Sequence, residues 1–331
     1  MKRSIYIFSN GELHRKQNTL YFQKEDGTRR YIPVENTQEI FIFGEVTINK
    51  KLLEFLSQKE ILLHFFNHYG YYMGTFYPRE HYNSGYLLLK QVEHYLNPES
   101  RLSLAKRFVQ GALANMEKIL QYYHNRGKDM GDAIEKIGVL KEKINTQTTT
   151  EELMALEGNA REIYYGMFDL ILENDEFSFN KRTKRPPRNR LNAQISFSNS
   201  LLYTIVLREI YKTHLDPRIG YLHTTNFRRF TLNLDVAEVF KPVIVDRTIF
   251  TLINKKILTA RDFENKAQGI YLKENGRKHV VEEMDRKLKS TIKHEKLKRN
   301  ISYETLILLE LYKLEKHFLG EKVYTPFITR W

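Results

Sequence analysis

Acidic side chains and one histidine recur within residues 156–242 in patterns that could bind a metal ion. Asp235 and Glu238 are three positions apart, so a helix would place both carboxylates on one face. His223 follows an apolar pair at the end of a turn-rich loop, residues 215–223. The chain has no cysteine, so only imidazole and oxygen ligands are available, a set that suits Mg²⁺ or Mn²⁺. The same pattern is typical of a hydrogen-bonded core site or a helix cap, and these alternatives stay open.

Glu157 lies at the edge of an apolar stripe that helical spacing creates over residues 153–167, one turn before Arg161. A carboxylate beside a buried face is costly unless it is paired or bound to metal. An ion pair with Arg161 is the simpler interpretation, and metal binding is the alternative. Gly158 costs a helix about 1 kcal/mol relative to alanine, which indicates that something approaches the backbone there.

Several classes of enzyme lack their usual motifs in this sequence. G-x-G-x-x-G, G-x4-G-K-[ST], G-x-S-x-G and H-E-x-x-H are all absent, which argues against common forms of dinucleotide, nucleotide and serine hydrolase chemistry. His64 and His68 have the i, i+4 spacing of helical metal ligands but lie in an apolar, aromatic run that predicts a strand. In a strand they would stand about 13 Å apart, so we predict a structural role for both.

The elements that must position these residues divide into two kinds. Short aromatic and β-branched runs with Asn-Gly and Asp-Gly turns predict a β-rich region that contains one helix at residues 49–56. The predicted strands are residues 4–8, 19–22, 30–34, 39–43, 61–66 and 71–76. From Tyr86 onward the apolar period is helical. The helices predicted around and after the candidate site are residues 151–173, 191–213, 235–241, 246–253 and 278–318.

The change of period predicts an α+β fold, in which a small β-rich N-terminal domain is followed by a larger all-α domain. We place the first domain at residues 1–77, a linker at 78–85 where proline, glycine and polar residues mix, and the helical domain at 86–331. The mean hydropathy of the whole chain, −0.52, is typical of a soluble globular protein. No signal peptide or membrane helix is evident, so we expect a cytoplasmic protein with no membrane partner.

Positive charge is concentrated in the second predicted domain. The formal charge is +13, and after residue 84 there are 42 basic and 31 acidic side chains, a net +11. Residues 181–190 contain six basic residues and no acid, and residues 286–299 contain seven against one acid. Two such clusters favour a phosphate-binding surface, although a solvated face is the simpler interpretation of either cluster alone. The candidate phosphate contacts are Lys181, Arg182, Lys184, Arg185, Arg188, Arg190, Lys287 and Lys289.

Four ordered motifs resemble a known family. They are Glu157-Gly-Asn-Ala-Arg161, then residues 185–193 with two prolines, then 215–223 ending in Gly-Tyr-Leu-His, and then 234–242 ending in Phe-Lys-Pro. In this order they resemble the Cas-one family (Cas1), the CRISPR-associated endonuclease and integrase of spacer acquisition. Short segments of the β-rich half and Tyr324-Thr-Pro-Phe327 are also similar, so the resemblance covers essentially the whole chain.

The resemblance implies a catalytic helical domain that binds one divalent ion, Mg²⁺ or Mn²⁺, through Glu157, His223 and Glu238, with Asp235 as an auxiliary acid near the site. Relatives often have aspartate where this chain has Glu238. The implied reaction inserts spacer DNA into the CRISPR array by attack of a 3′-hydroxyl on a phosphodiester, or cleaves DNA with water as the nucleophile. Ligation by His223 requires a neutral imidazole, so activity should fall as the pH drops below its pKa.

The implied partners are double-stranded and branched DNA, a second copy of the chain and a second protein. Dimerisation is assigned to the β-rich domain, and dimers of the chain would be bridged by a dimer of the small protein Cas-two (Cas2). The basic clusters would then hold DNA backbones with little sequence readout. A non-catalytic nucleic-acid scaffold and a structural dimer with incidental positive charge are the competing hypotheses. The first of these would bind DNA in a salt-sensitive manner without metal-dependent turnover.

Overall fold

The computed structural model describes residues 3–78, 84–225, 230–266, 269–294 and 297–330. The chain divides into two units, Met1–His81 and Tyr82–Trp331. Within the predicted linker, residues 79–83 lie outside the described residues, while Ser84 caps a helix that begins at Gly85. Within the described residues, no helix has both the length and the apolar character needed to cross a membrane.

The first unit consists of two four-stranded sheets and one helix over its described residues. Its elements are β1 (Arg3–Ile7), β2 (Gly11–Lys16), β3 (Thr19–Lys24), β4 (Arg29–Ile32), β5 (Thr37–Ile42), β6 (Val46–Thr47), α1 (Lys50–Lys59), β7 (Leu62–Phe66) and β8 (Tyr72–Phe76). The strand orders are β1-β5-β7-β8 and β4-β3-β2-β6. The first sheet is parallel from β1 to β7, and β8 is antiparallel to β7.

The apolar sides of these strands and of α1 form one core. Leu13, Leu20, Ile40, Leu52 and Phe55 are all at most 1% exposed within it. The sequence did not predict β2, whose residues Gly-Glu-Leu-His-Arg-Lys are mostly polar. Only Leu13 of that strand is buried, so burial of one side chain and pairing with β3 hold it in the sheet.

His64 has a structural role, as its sequence context predicts. It lies on β7 and is 0% exposed. Its Nδ1 is 2.8 Å from Thr75 Oγ1 and its Nε2 is 3.2 Å from Glu39 Oε2. Both ring nitrogens are therefore used in bonds within the sheet, which satisfies a polar ring in an aromatic environment.

The second unit is mostly helical. Its elements are α2 (Gly85–Leu96), α3 (Pro98–His124), α4 (Gly131–Lys143), α5 (Thr150–Gly166), α6 (Phe168–Leu172), α7 (Arg190–Ile210), α8 (Leu232–Lys241), α9 (Arg247–Asn254), β9 (Phe263–Lys266), β10 (Gly269–Leu272), α10 (Glu274–Lys289), β11 (Thr291–His294), β12 (Arg299–Ser302) and α11 (Tyr303–Phe318). A π-helical turn, Pro242–Asp246, joins α8 to α9.

The α+β fold is confirmed, but the description of the larger domain as all-α is wrong at two antiparallel pairs, β9–β10 and β11–β12. The single helix predicted over 278–318 is instead α10, a hairpin and α11. In the hairpin Ile292 pairs with Ile301 across the strands, and polar residues alternate with them. That period of two was hidden by the many lysines of the segment, which resemble a helical surface.

The helices around the candidate site are tied together by Asn115 of α3. Its amide nitrogen donates to Val239 O on α8 at 2.8 Å and to Phe327 O at 2.9 Å, and its oxygen accepts from Thr329 N at 2.8 Å. Gly111, one turn earlier, allows Pro326 to approach, because a Cβ there would lie 2.6 Å from the proline ring. The C-terminal segment therefore holds α8 against α3.

Candidate metal and DNA site

Helix α5 presents Glu157 and Arg161 beside a buried apolar face. The helix starts with a capping box in which Thr149 and Glu152 satisfy each other's backbone amides. Leu153 is 0% exposed on the same element. No described atom outside this helix would lie within 4 Å of a Cβ placed on Gly158, so no described part of the chain itself approaches the backbone there.

Arg161 joins two carboxylates from different helices. Its Nε donates to Glu157 Oε1 at 2.8 Å and its Nη2 donates to Glu238 Oε2 at 2.6 Å. Lys241 of α8 donates to the other oxygen of Glu238. The predicted pair between Glu157 and Arg161 is therefore present, and it is one part of a buried network in which the side chain of Glu238 is 6% exposed.

The network keeps Glu238 ionised. Burial alone would raise the pKa of this carboxyl, but the charges of Lys241 and Arg161 outweigh burial and lower the pKa to about 2. The same attraction raises the pKa of the Arg161 guanidinium despite its burial. A fixed anion with two cations beside it is an arrangement that a divalent ion could enter by displacing one of the cations.

His223 is held by Asp235. The imidazole Nδ1 lies 2.7 Å from Asp235 Oδ1, and this oxygen also accepts from His223 N at 3.0 Å. Asp235 Oδ2 accepts from Tyr221 N at 2.5 Å and Leu222 N at 3.1 Å. Asp235 thus positions a loop and a ring, and a metal ion would have to be bound through Nε2 of His223. Histidine ligands of metals are commonly oriented by a carboxylate in this way.

The bond to Asp235 also controls the charge of His223. Burial lowers the pKa of this imidazole, but the hydrogen bond and charge of Asp235 together raise it above its usual value, and Glu238 adds to the effect. Glu238 is thus one of the charges that favour the protonated form of His223.

The loop that delivers His223 is fixed by close packing. A Cβ on Gly220 would lie 2.7 Å from the backbone carbon of Thr231, so only glycine fits without a shift. Thr231 Oγ1 accepts from Gly220 N at 2.8 Å. Tyr221 donates from its hydroxyl to Gln91 O at 3.0 Å on α2. The glycine of the Gly-Tyr-Leu-His motif is therefore the residue at which Thr231 packs against the loop.

The donor chemistry of these residues fits a hard divalent ion. Glu157 and Glu238 are bonded to one guanidinium, and His223 is oriented by Asp235. In the arrangement described, however, no three His, Asp or Glu side chains among the described residues are grouped as a metal centre. Arg161 and Lys241 instead occupy both oxygens of Glu238 and one oxygen of Glu157.

The loop that carries the first basic cluster is bonded to α7 and β10. Asn192 of α7 holds the loop, with its Oδ1 accepting from Arg182 at 3.0 Å and its Nδ2 donating to Lys181 O at 2.8 Å. Ile270 N of β10 donates to Pro187 O at 2.9 Å. Burial and the nearby charges of Lys241 and Arg182 lower the pKa of Lys184, while Glu238 and Glu157 oppose this. Lys184 is thus within electrostatic reach of the carboxylates.

Most candidate phosphate contacts also have partners within the protein. Arg182 bonds to Ser196 Oγ at 3.0 Å, and Arg190 donates to Glu176 O at 3.1 Å. On α10, Lys289 pairs with Asp285 at 2.5 Å, and the Lys287 ammonium lies 4.0 Å from the centre of the Tyr303 ring. The second cluster therefore follows a run of acids, residues 282–285, that partly neutralises it.

Comparison with known proteins agrees with the motifs. The family model described as CRISPR associated protein Cas1 matches residues 5–286. The chain belongs to the Cas1 family. A relative named CRISPR-associated endonuclease Cas1 2, from Thermodesulfovibrio yellowstonii, is 60% identical to this Cas1-family chain over 331 residues, covering 100% of each. The structure of a Cas1 protein from Thermotoga maritima superimposes with a TM-score of 0.88 at 48% identity, covering 98% of this chain and 99% of that one.

Two structures of lower identity share the fold of this Cas1-family chain. A casposase bound to integration product matches with a TM-score of 0.87 at 19% identity, over 99% of this chain and 94% of that chain. A Cas6-RT-Cas1–Cas2 complex matches with a TM-score of 0.85 at 18% identity, over 100% of this chain and 36% of that longer chain. The α+β architecture is therefore common to these proteins.

Two residues of the site were not predicted from the sequence. Lys241 is three positions after Glu238, and this i, i+3 spacing could have indicated the pair. Asp246 ends the apolar run of the π-helical turn, and its charge contributes to the electrostatics of Arg161. A single acid at the end of an apolar run is a sequence signal that could have identified Asp246 as a site residue.

Proposed function

We propose that this chain is a divalent-metal-dependent DNA endonuclease and integrase of CRISPR adaptation. In its reaction the 3′-hydroxyl of a captured DNA end would attack a phosphodiester in the CRISPR repeat and release the 3′-hydroxyl of the cut repeat strand, with hydrolysis when water is the nucleophile. The observation that carries this proposal is the buried convergence of Glu157 and Glu238 on Arg161, beside a His223 oriented by Asp235. Family membership and the names of the relatives support it.

Glu157, His223 and Glu238 would hold one Mg²⁺ or Mn²⁺ ion. When bound, the ion would stabilise negative charge that develops on the phosphodiester. Neighbouring residues set the charge of Glu238 and the orientation of His223. Lys241 and Arg161 keep the Glu238 carboxylate ionised in a buried position, and Asp235 fixes the imidazole so that Nε2 is the nitrogen left for the metal.

Double-stranded and branched DNA are the proposed substrates. The loop of residues 181–190 is anchored to α7 and β10, and Lys184 lies within electrostatic reach of the carboxylates. A phosphate chain bound along this loop would therefore reach the candidate ligands. The casposase that shares this fold is bound to an integration product, which is consistent with DNA as the substrate here.

A homodimer and a complex with Cas2 are the proposed assemblies. Support for Cas2 comes from a structural neighbour in which Cas1 and Cas2 are parts of one complex. The homodimer is proposed on the resemblance to the Cas1 family.

The test is half-site integration and cleavage of branched DNA with Mn²⁺ or Mg²⁺. We expect Glu157→Gln and His223→Ala to abolish turnover and to leave DNA binding largely intact. Glu162→Gln is the matched control, since Glu162 is exposed on the same helix. Full activity of Glu157→Gln would contradict the assigned site. DNA binding without any metal-dependent turnover in the wild type would instead favour the non-catalytic scaffold.

A further inference from the structure

Asp246 is a buried acid with no evident use in the fold. It ends the π-helical turn Pro242–Asp246 and is 0% exposed. Within the described part of the chain, neither of its carboxylate oxygens has a partner in hydrogen-bond geometry. Leaving a buried carboxylate without partners is costly, and π-helical turns are frequent at functional sites. These features indicate a functional rather than a structural role for Asp246.

Two buried polar atoms of α5 also lack partners among the described residues. They are Nη1 of Arg161 and the hydroxyl oxygen of Tyr164. Arg161 and Asp246 lie close enough that each charge acts on the pKa of the other. Tyr164 is close enough to favour the ionised form of Asp246 but lies outside hydrogen-bond geometry. One guanidinium nitrogen and one carboxylate therefore remain unused within the same buried region.

The proposed metal site would give the Asp246 carboxylate and the Arg161 guanidinium a reason to bind each other. Arg161 donates to one oxygen of Glu157 and to one oxygen of Glu238, so a divalent ion bound at those two oxygens would displace the guanidinium from them. A buried guanidinium without an anionic partner is strongly unfavourable, so loss of those bonds would oppose metal binding unless another acceptor were available. Asp246 is a buried acid beside Arg161 whose oxygens are not already engaged.

We propose that Asp246 is a positioning residue that accepts the Arg161 guanidinium when Glu157 and Glu238 take up a divalent ion. This inference rests on the proposed function. The charge state of Asp246 is consistent with it. Burial raises the pKa of Asp246 to about 7 although the charges of Arg161 and Lys241 lower it. An approaching guanidinium would favour the carboxylate form further.

The test is the dissociation constant of Mn²⁺ for the full chain, measured by calorimetric titration without DNA. Asp246→Asn should weaken Mn²⁺ binding about tenfold, within the usual range of coupling between sites. Asn has the shape of Asp and removes a buried unpaired charge, so the variant should fold. The rise in Tm caused by saturating Mn²⁺ gives a second readout, and it should be smaller in Asp246→Asn than in the wild type.

A double-mutant cycle tests whether Asp246 affects Mn²⁺ binding through Arg161. In the Arg161→Gln background, Asp246→Asn should no longer change the Mn²⁺ dissociation constant, because the guanidinium that Asp246 accepts is gone. Equal losses in both backgrounds would overturn the inference, as would an unchanged constant in Asp246→Asn alone. These results leave the proposed function intact. A wild-type chain that binds no Mn²⁺, or whose binding survives Glu157→Gln, would contradict the proposed function itself.

Discussion

Replacement of Asp235 by asparagine should separate the folding role of this residue from the chemistry of the site. Asp235 is 0% exposed and accepts four hydrogen bonds, three from backbone amides of residues 221–223 and one from the His223 ring. Each carboxylate oxygen accepts two of them. Asparagine has one acceptor oxygen, so in either orientation its amide nitrogen would face two donors.

The expected loss of stability follows from these bonds. A hydrogen bond to a charged group contributes about 1.5–3 kcal/mol, and two are lost. The two lost bonds sum to about 3–6 kcal/mol. Relaxation of the loop offsets part of this sum, so we expect Asp235→Asn to lower the free energy of unfolding by about 3 kcal/mol, the lower end of the sum. Because the ring of His223 would also lose its orientation, Mn²⁺ affinity should fall by about 10–100-fold.

Urea unfolding without metal and calorimetric titration with Mn²⁺ would measure the two effects. Asp132→Asn is the matched control, since its carboxylate pairs with Lys136 at 2.6 Å with 76% of the side chain exposed. That surface pair should contribute less than about 1 kcal/mol. Wild-type stability and wild-type Mn²⁺ affinity in Asp235→Asn would refute the reasoning, because they would mean that the four bonds do not hold the loop or the ring.

Three further predictions concern pH, packing and charge. Mn²⁺ binding should weaken as the pH falls through the raised pKa of His223, since protonation removes the lone pair that would bind the metal. In Asp235→Asn the midpoint of this loss should lie at lower pH, because the partner that raises the pKa is gone. Titrations from pH 5 to 9, roughly the range in which histidine titrates, would measure both midpoints, and a pH-independent affinity would contradict the prediction. Gly220→Ala should lower Tm, since its Cβ would lie 2.7 Å from Thr231. Gly158→Ala should raise the free energy of unfolding by about 1 kcal/mol, because no described atom outside its helix would lie within 4 Å of the new Cβ; the opposite order of stabilities would refute the packing argument. Changing Lys181 and Lys184 to Gln should reduce the slope of DNA affinity against salt by about two, and an unchanged slope would exclude both lysines as phosphate contacts.

The sequence predicted the fold where the apolar period was strong. Long helices such as α7 and the aromatic strands around Ile40 are recognisable because burial on one face sets their period. β2 and the β11–β12 hairpin were missed because each buries few side chains. Tertiary pairing rather than local pattern holds these strands in place, and single-residue propensities carry little information about such pairing.

The candidate site was only partly predictable. Helical spacing indicated the pair of Glu157 with Arg161 and the shared face of Asp235 and Glu238. It could not indicate that Arg161 would bridge α5 and α8, because that contact joins residues 77 positions apart. Nor could spacing separate the roles of the two acids on α8. The structure assigns Asp235 to the loop and to His223, and Glu238 to the cationic network.

The central claim is that Glu157, His223 and Glu238 bind one divalent ion, and a Mn²⁺ titration of four proteins tests it most directly. The proteins are the wild type, Glu157→Gln, His223→Ala and the exposed control Glu162→Gln. We predict one ion per chain in the wild type and the control, and at least about 100-fold weaker binding in the other two, the loss expected when a direct ligand rather than its supporting partner is removed. Equal stoichiometry and affinity in all four proteins would contradict the account.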